Sequence, residues 1–160
     1  MERKTKVKAE EGRHDLVITR EFELPVELLF RAHTDAELFE QWMTHEYNTV
    51  KVLKFETEKH GGWMFQNMDL QGNVVFQANG VFHDIVPDKK ITRTFEMANS
   101  PIDVQLEFLE FEKLTDETSK LTMQIVYRSI AIRDQMLKLP FASGLDMAHN
   151  RLQNIIGKLK

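Results

Sequence analysis

Cysteine is absent from the 160 residues of this sequence. Its absence excludes disulfide bonds, thiolate nucleophiles and zinc sites with cysteine ligands. No stretch approaches the roughly 20 apolar residues that a membrane-spanning helix requires. The charged start MERKTKVKAEEGRHD lacks the apolar segment of a secretory signal. We therefore expect a cytoplasmic protein that does not insert into membranes.

The sequence has no excess of positive charge. It contains 21 Lys and Arg residues and 25 Asp and Glu residues, so the net charge is −4. Nucleic-acid binding requires clustered Lys and Arg, so we expect no nucleic-acid partner. The sequence shows no repeat, low-complexity run or Pro/Gly-rich linker. A chain of this length predicts a single domain over residues 1–160.

Motifs of catalysis and metal binding are also missing. The six histidines show no i, i+4 pair of the zinc type, and neither a Gly-x-Ser-x-Gly frame nor a Gly-rich phosphate loop occurs. We predict no cofactor, no metal and no catalytic residue, and an enzyme is the lowest-ranked of the three functions considered below. His33 and His149 could face inward and titrate near neutrality, and we assign neither of them a catalytic role. Two inward ionisable groups within hydrogen-bonding reach would support an enzyme.

Hydrophobic periodicity predicts a short hairpin at Val7–Ala9 and Leu16–Phe22, followed by two short helices in PVELLFRAH and TDAELFEQWM. Pro25 suits a helix start, and Thr34 or Asp35 can cap the second helix. The turn signals HGG, QGN, Pro87-Asp88, NSP and TDETS then separate six strand-like segments, 47–58, 63–70, 74–86, 91–97, 104–114 and 120–128.

Helical spacing returns near the C-terminus, with a break or kink at Pro140. Short connections favour antiparallel strands, and the closing amphipathic helix is the only element long enough to cover a sheet face. The order predicts an α+β fold. It has a curved antiparallel sheet, two short helices after the first long strand and a long C-terminal helix packed across the concave face.

This order resembles the START-like superfamily, also called the helix-grip or SRPBCC fold. Within it the chain resembles the bacterial branch related to the activator of the heat-shock protein 90 ATPase. The segments ITREFELPVELLFRAHTDAELFEQW, GGWMFQNM, GVFHDIVPDKKI, SKLTM and GLDMAHNRL carry the resemblance. The residues in the expected places are Arg20, Phe22, Pro25, Phe30, Ala32, Thr34, Trp42, Gly61, Gly62, Met68, Gly72, Gly80, Pro87, Thr122, Gly144 and Leu152.

Three departures fall where members of the family shape the pocket. Thr57 and Lys59 stand where an Asp-x-Arg is frequent, and WMTHEY replaces a second aromatic residue and Gly-Pro after the early tryptophan. Leu145 stands where a tryptophan is frequent. We therefore expect more free volume beneath the final helix, and no ligand is transferred from any relative.

The resemblance implies a ligand pocket between the sheet and the last helix. It places alternate residues of the strand after the double glycine toward that helix, which leaves Trp63 and Phe65 on the outer face as packing or interface residues. Methionine suits a pocket of irregular shape but more often fills a core. A buried Gln66 could either orient a ligand or bond a neighbouring side chain. The expected pocket residues are Trp42, Met64, Gln66, Met68, Phe95, Phe108, Met123, Met136, Phe141, Gly144 and Leu145.

Three functions compete. The first is binding of a small hydrophobic or amphipathic molecule between the sheet and the C-terminal helix. The second is a protein-interaction role like that of a co-chaperone, with a chaperone or a second copy of the chain as partner. The third is an enzyme of the cyclase or hydrolase kind, since this fold hosts many functions. We rank them in that order.

Overall fold

A computed structural model describes residues 3–160, and residues 1 and 2 of the predicted domain lie outside the described residues. An eight-stranded antiparallel sheet forms one layer and helices form the other. The strands are β1 Lys6–Lys8, β2 Asp15–Phe22, β3 Thr49–Phe55, β4 Gly62–Met68, β5 Val74–Val86, β6 Lys90–Met97, β7 Gln105–Lys113 and β8 Ser119–Val126. The helices are α1 Val26–Thr34, α2 Ala36–Met43, α3 Ile130–Leu137 and α4 Phe141–Ile156, and a short 3₁₀ turn, Gly157–Leu159, follows.

The sheet order is β1-β2-β8-β7-β6-β5-β4-β3. From β3 to β8 the strands form an antiparallel meander, and β2 pairs with β8, so the first long strand lies beside the last. This arrangement confirms the predicted fold class, with two helices after β2 and a long C-terminal helix on the sheet. The six strands between them are paired on both sides, so β1 and β3 are the edges of the sheet. The edge strand β1 has only three residues.

Local sequence signals explain the helix boundaries. The Asp35 side chain accepts a hydrogen bond from the Leu38 amide at 3.1 Å, so Asp35 is the cap of α2. Ser129 caps α3 in the same way, through the Ile132 amide at 3.2 Å. Pro140 separates α3 from α4, as its missing N–H and ring predict. In the described chain, none of the helices is long and apolar enough to cross a membrane.

The helix α4 is fixed mainly through its middle and C-terminal half. Ala148, His149, Leu152 and Ile156 are its buried residues. Asp146 accepts hydrogen bonds from the Thr5 amide at 2.9 Å and from Arg20 Nη1 at 3.2 Å. These contacts tie α4 to the N-terminal segment and to β2. The first turns of α4 therefore cross the sheet with little direct support.

Gly80 lies where β5 passes beneath an aromatic side chain of β4. The indole Nε1 of Trp63 donates to the Thr94 carbonyl at 3.1 Å, and this bond crosses over Gly80. A Cβ at position 80 would overlap both the Thr94 carbonyl and the Trp63 indole nitrogen. Glycine at this position therefore permits the close approach of indole and backbone.

We predict that Gly80→Ala lowers the free energy of unfolding by about 1–3 kcal/mol, because the added methyl group forces the indole or the strand to move. Gly144→Ala is the matched control, since a Cβ added at this position on α4 would meet nothing within 4 Å. That control should be stabilised by up to about 1 kcal/mol, because alanine favours a helix. Urea denaturation of the two variants measures both effects, and equal stability would contradict the packing argument.

Candidate ligand cavity

A cavity of about 620 Å³ lies between the concave face of the sheet and the helical layer. The α4 side contributes Phe141, Gly144, Leu145, Ala148 and His149. Two exposed side chains, Tyr47 and Met147, border the same space at 65% and 60% exposure. The cavity therefore opens to solvent between the turn after α2 and the exposed side of α4.

Aromatic side chains form one wall of the cavity. Trp63 and Phe65 on β4 stack with ring centroids 5.7 Å apart, and both are 2% exposed. Phe39 of α2 meets Phe65 edge-on at 5.4 Å, and Phe95 of β6 lies 5.9 Å from Trp63. Such pairs add to the stabilisation that area burial gives. These aromatic contacts hold α2 against β4 of the sheet.

A polar group interrupts the apolar wall. Arg93 of β6 and Glu107 of β7 are cross-strand partners, and Arg93 Nε donates to Glu107 Oε1 at 2.8 Å. Gln105 Nε2 donates to the other carboxylate oxygen at 2.6 Å. All three side chains line the cavity and are at least nine-tenths buried. We call Arg93, Gln105 and Glu107 the inner polar cluster.

The Arg93 guanidinium also lies over the Trp63 ring, 4.4 Å from its centroid. This cation–π contact and the bond to Glu107 hold the guanidinium from two sides. The Arg93 side chain is therefore fixed in position before any ligand arrives.

Two buried histidines line the cavity as well, which agrees with the expectation that both face inward. His33 Nδ1 donates to the Leu29 carbonyl at 2.9 Å, and His149 Nδ1 is bonded to the Thr5 hydroxyl at 2.6 Å. Burial lowers the pKa of His33 to about 4 and that of His149 to about 3. Both imidazoles are therefore neutral at pH 7, and the idea that they titrate near neutrality is wrong, because burial disfavours the charged form.

Most of the residues expected at the pocket line this cavity, whereas four do not. The structure places these residues on it: Trp42, Phe95, Met123, Met136, Phe141, Gly144 and Leu145. The other four, Met64, Gln66, Met68 and Phe108, project from the opposite face of the sheet. Their expected orientation was wrong, and whether the first seven bind a ligand stays a prediction.

The sequence analysis assigned the wrong face of β4 to the cavity, and the reason is physical. GWMFQNM carries large apolar side chains at both parities, so alternation alone does not select the inward face. The aromatic parity is buried because Trp63 and Phe65 pack against Phe39. Gln66 instead donates from Nε2 to Gln77 Oε1 at 3.0 Å on the other face, so it orients no molecule in the cavity.

Sequence reasoning also missed the inner polar cluster. The scattered acids of LEFLEFEKLTDE predict solvent-facing or strand-end positions for Glu107, Glu110 and Glu112. The structure confirms exposure for the last two, but Glu107 is 3% exposed. The signal that could have found it is spacing by two residues. Glu107 lies on the same face of β7 as Leu109 and Phe111, and this face is buried. Two further buried polar residues, Asn67 and Tyr127, were not singled out either.

Within residues 3–160, no group of three or more His, Asp or Glu side chains is placed to hold a metal ion. The two cavity histidines and Glu107 therefore do not form such a cluster. The chemistry that this site offers is an apolar enclosure with one buried, charge-balanced group of hydrogen-bonding side chains, and a further cation, Arg151, on the α4 side.

A helix laid across a curved antiparallel sheet with a cavity beneath it defines the helix-grip, START-like class. The model of the family described as Activator of Hsp90 ATPase homolog 1-like protein matches residues 23–157. The chain belongs to this family, as the resemblance in the sequence predicted. No curated protein matches the sequence significantly.

Solved bacterial structures share the fold at low sequence identity. A protein from Rhodobacter sphaeroides has a TM-score of 0.88 at 17% identity, over 97% of this chain and 99% of that chain. A protein from Mycobacterium smegmatis has a TM-score of 0.84 at 18% identity, over 95% and 96% of the two chains. Protein NE0264 from Nitrosomonas europaea has a TM-score of 0.80 at 20% identity, over 96% and 100%. At these identities the likeness shows the fold alone.

The buried histidines predict a loss of stability in mild acid. Their folded-state pKa values lie below the ordinary 6.5, so the unfolded chain binds more protons as the pH falls below 6.5. The contribution of the neutral histidines to the free energy of unfolding is complete above pH 6.5. It is lost as the pH falls toward their folded-state pKa values near 4 and 3. Each histidine should cost about 2 kcal/mol of unfolding free energy between pH 6.5 and 5.

Urea denaturation of His149→Gln at several pH values should show about half of the wild-type dependence on pH in this window. His83→Gln is the matched control, because His83 is exposed on β5. A wild-type stability that stays constant from pH 6.5 to 5 would contradict the prediction.

Proposed function

We propose that this protein binds a small hydrophobic or amphipathic molecule in the cavity between the sheet and α4. The observation that supports this proposal is the cavity of about 620 Å³ beneath the helix. Ligand pockets have roughly 300–1,000 Å³, mostly apolar walls and a few polar groups that orient the ligand. The aromatic wall and the inner polar cluster match that description.

The shape of the opening supports entry from solvent. Tyr47 and Met147 border the cavity and are the more exposed of its side chains. The first turns of α4, with Phe141 half-buried and Gly144 exposed, lie over the same side. A ligand can therefore reach the aromatic wall without separating α4 from β2.

A second candidate is an enzyme on this fold, because two inward ionisable groups, Arg93 and Glu107, are hydrogen-bonded within the cavity. An arginine keeps its proton in proteins, so this pair does not exchange protons as an acid–base couple. Binding is therefore better supported than catalysis. Turnover of a bound molecule, followed by mass spectrometry, would reverse this ranking.

The protein-interaction alternative rests on the family description, which refers to an activator of the Hsp90 ATPase. It predicts capture of an ATPase chaperone in a pull-down and faster ATP hydrolysis by that chaperone. Failure of both measurements would remove this alternative without affecting the cavity proposal.

The cavity proposal predicts that Leu145→Trp weakens ligand binding, because the indole occupies space that the leucine leaves open under α4. The probe is the neutral dye N-phenyl-1-naphthylamine, whose fluorescence rises in apolar surroundings. We expect its Kd to increase about tenfold or more in the variant, which corresponds to a loss of about 1.4 kcal/mol. The dye should also raise the melting temperature of the wild type, since it binds the folded state.

Two variants control for indirect effects. Gln66→Leu alters the opposite face of β4, and Leu159→Trp adds an indole at a 51% exposed position after α4. Both should bind the dye as the wild type does. Unchanged affinity in Leu145→Trp would move the dye site away from α4, and absence of dye binding and of any thermal shift would contradict the proposal.

A further inference from the structure

The inner polar cluster determines which polar group a molecule in the cavity can carry. Arg93 and Glu107 are 7% and 3% exposed, and both line the cavity. The register of β6 and β7 places Arg93 opposite Glu107 and Phe95 opposite Gln105. The cluster therefore belongs to the sheet and does not depend on a mobile loop for its geometry.

Hydrogen-bond donors exceed acceptors in this cluster. Both Glu107 oxygens already accept a bond, one from Arg93 and one from Gln105. A guanidinium has five N–H donors, whereas that of Arg93 donates one hydrogen bond within the described chain. Its Nη1 has no hydrogen-bond partner among residues 3–160 but is fully buried, so a molecule in the cavity does not reach it. Its Nη2 donates no bond either and is not among the fully buried atoms, so Nη2 is the donor that an acceptor atom of a ligand can reach.

Charge restricts that acceptor. The Arg93 cation and the Glu107 anion, 2.8 Å apart, already balance each other. At this cluster a ligand carboxylate would bring a second anion to one cation in a low-dielectric space, and a ligand ammonium would bring a second cation. The other cation on the cavity wall, Arg151, belongs to α4 and donates to the Trp42 carbonyl at 3.1 Å. A neutral oxygen acceptor avoids both penalties. The neighbouring Trp63 and Phe95 rings favour an apolar body attached to that oxygen.

We propose that the cavity selects apolar molecules with a neutral carbonyl group, such as a ketone, ester or amide, whose oxygen accepts a hydrogen bond from the Arg93 guanidinium. This inference rests on the proposed function and names the chemical class of its ligand. At the inner polar cluster it disfavours carboxylates, amines and plain hydrocarbons. Arg93 acts here as a specificity residue.

Three naphthalenes of similar shape test the inference on the wild-type protein. They are 2-acetylnaphthalene with a neutral carbonyl, 2-ethylnaphthalene without an acceptor, and 2-naphthoate with a carboxylate. Competition with N-phenyl-1-naphthylamine gives the affinity of each. We expect 2-acetylnaphthalene to bind about tenfold more tightly than either of the others, as one buried hydrogen bond implies.

A double variant removes the polar cluster without leaving an unpaired charge. Replacing both members of a buried ion pair by apolar residues is often tolerated, whereas removing one is strongly destabilising. Arg93→Met/Glu107→Met should therefore lose the preference for 2-acetylnaphthalene and keep its affinity for 2-ethylnaphthalene. Lys90→Met/Glu110→Met is the matched control, because these exposed residues are partners on the same two strands. It should keep the wild-type preference.

The outcomes separate the two proposals. Equal affinity of the wild type for the ketone and the hydrocarbon, or tighter binding of 2-naphthoate, would overturn the carbonyl inference and leave the cavity proposal standing. Absence of binding by the dye and by all three naphthalenes would overturn both. The wild-type series decides the question even where the double variant does not fold.

Discussion

The attachment of α4 to the sheet is the constraint on which the cavity depends. Leu152 and Ile156 are fully buried, and Asp146 joins the helix to Arg20 on β2. The turns near Phe141 and Leu145 lie over the concave face without filling it. Protein interiors are normally close-packed, and an unfilled apolar space costs stability. A helix fixed at one end can retain such a space, because its remaining contacts carry the fold.

The curved sheet beneath α4 also supplies the polar side chains of the inner polar cluster. Cross-strand pairing brings Arg93 and Glu107 together, and the Trp63 ring covers the guanidinium. A buried ion pair contributes little net stability compared with apolar residues of the same volume. Its position on the cavity wall, with unused N–H groups on Arg93, supports the proposed role in ligand recognition. The pair stays in place because its two strands are hydrogen-bonded neighbours.

The sequence predicted the order of the elements, the break at Pro140 and the family, because turn residues and periodicity are local signals. It did not predict the inward face of β4. Trp63 and Phe65 alternate with Met64 and Met68, so both faces of that strand are apolar. Only packing against Phe39 selects between them. Glu107 was misplaced for a related reason, since the partner that makes its burial tolerable, Arg93, becomes visible only when the register of β6 and β7 is known.

A shared fold does not by itself determine which molecule a cavity on it takes. The solved relatives superimpose over nearly the whole chain at 17–20% identity. Their likeness constrains the course of the sheet and of α4, which sets the position of a cavity. The chemistry of that cavity depends on a few side chains, here Arg93, Gln105 and Glu107 on the wall and Leu145 beneath the helix. The proposed function therefore implies that substitution of these few residues would change the preferred ligand while the sheet and its covering helix stay the same.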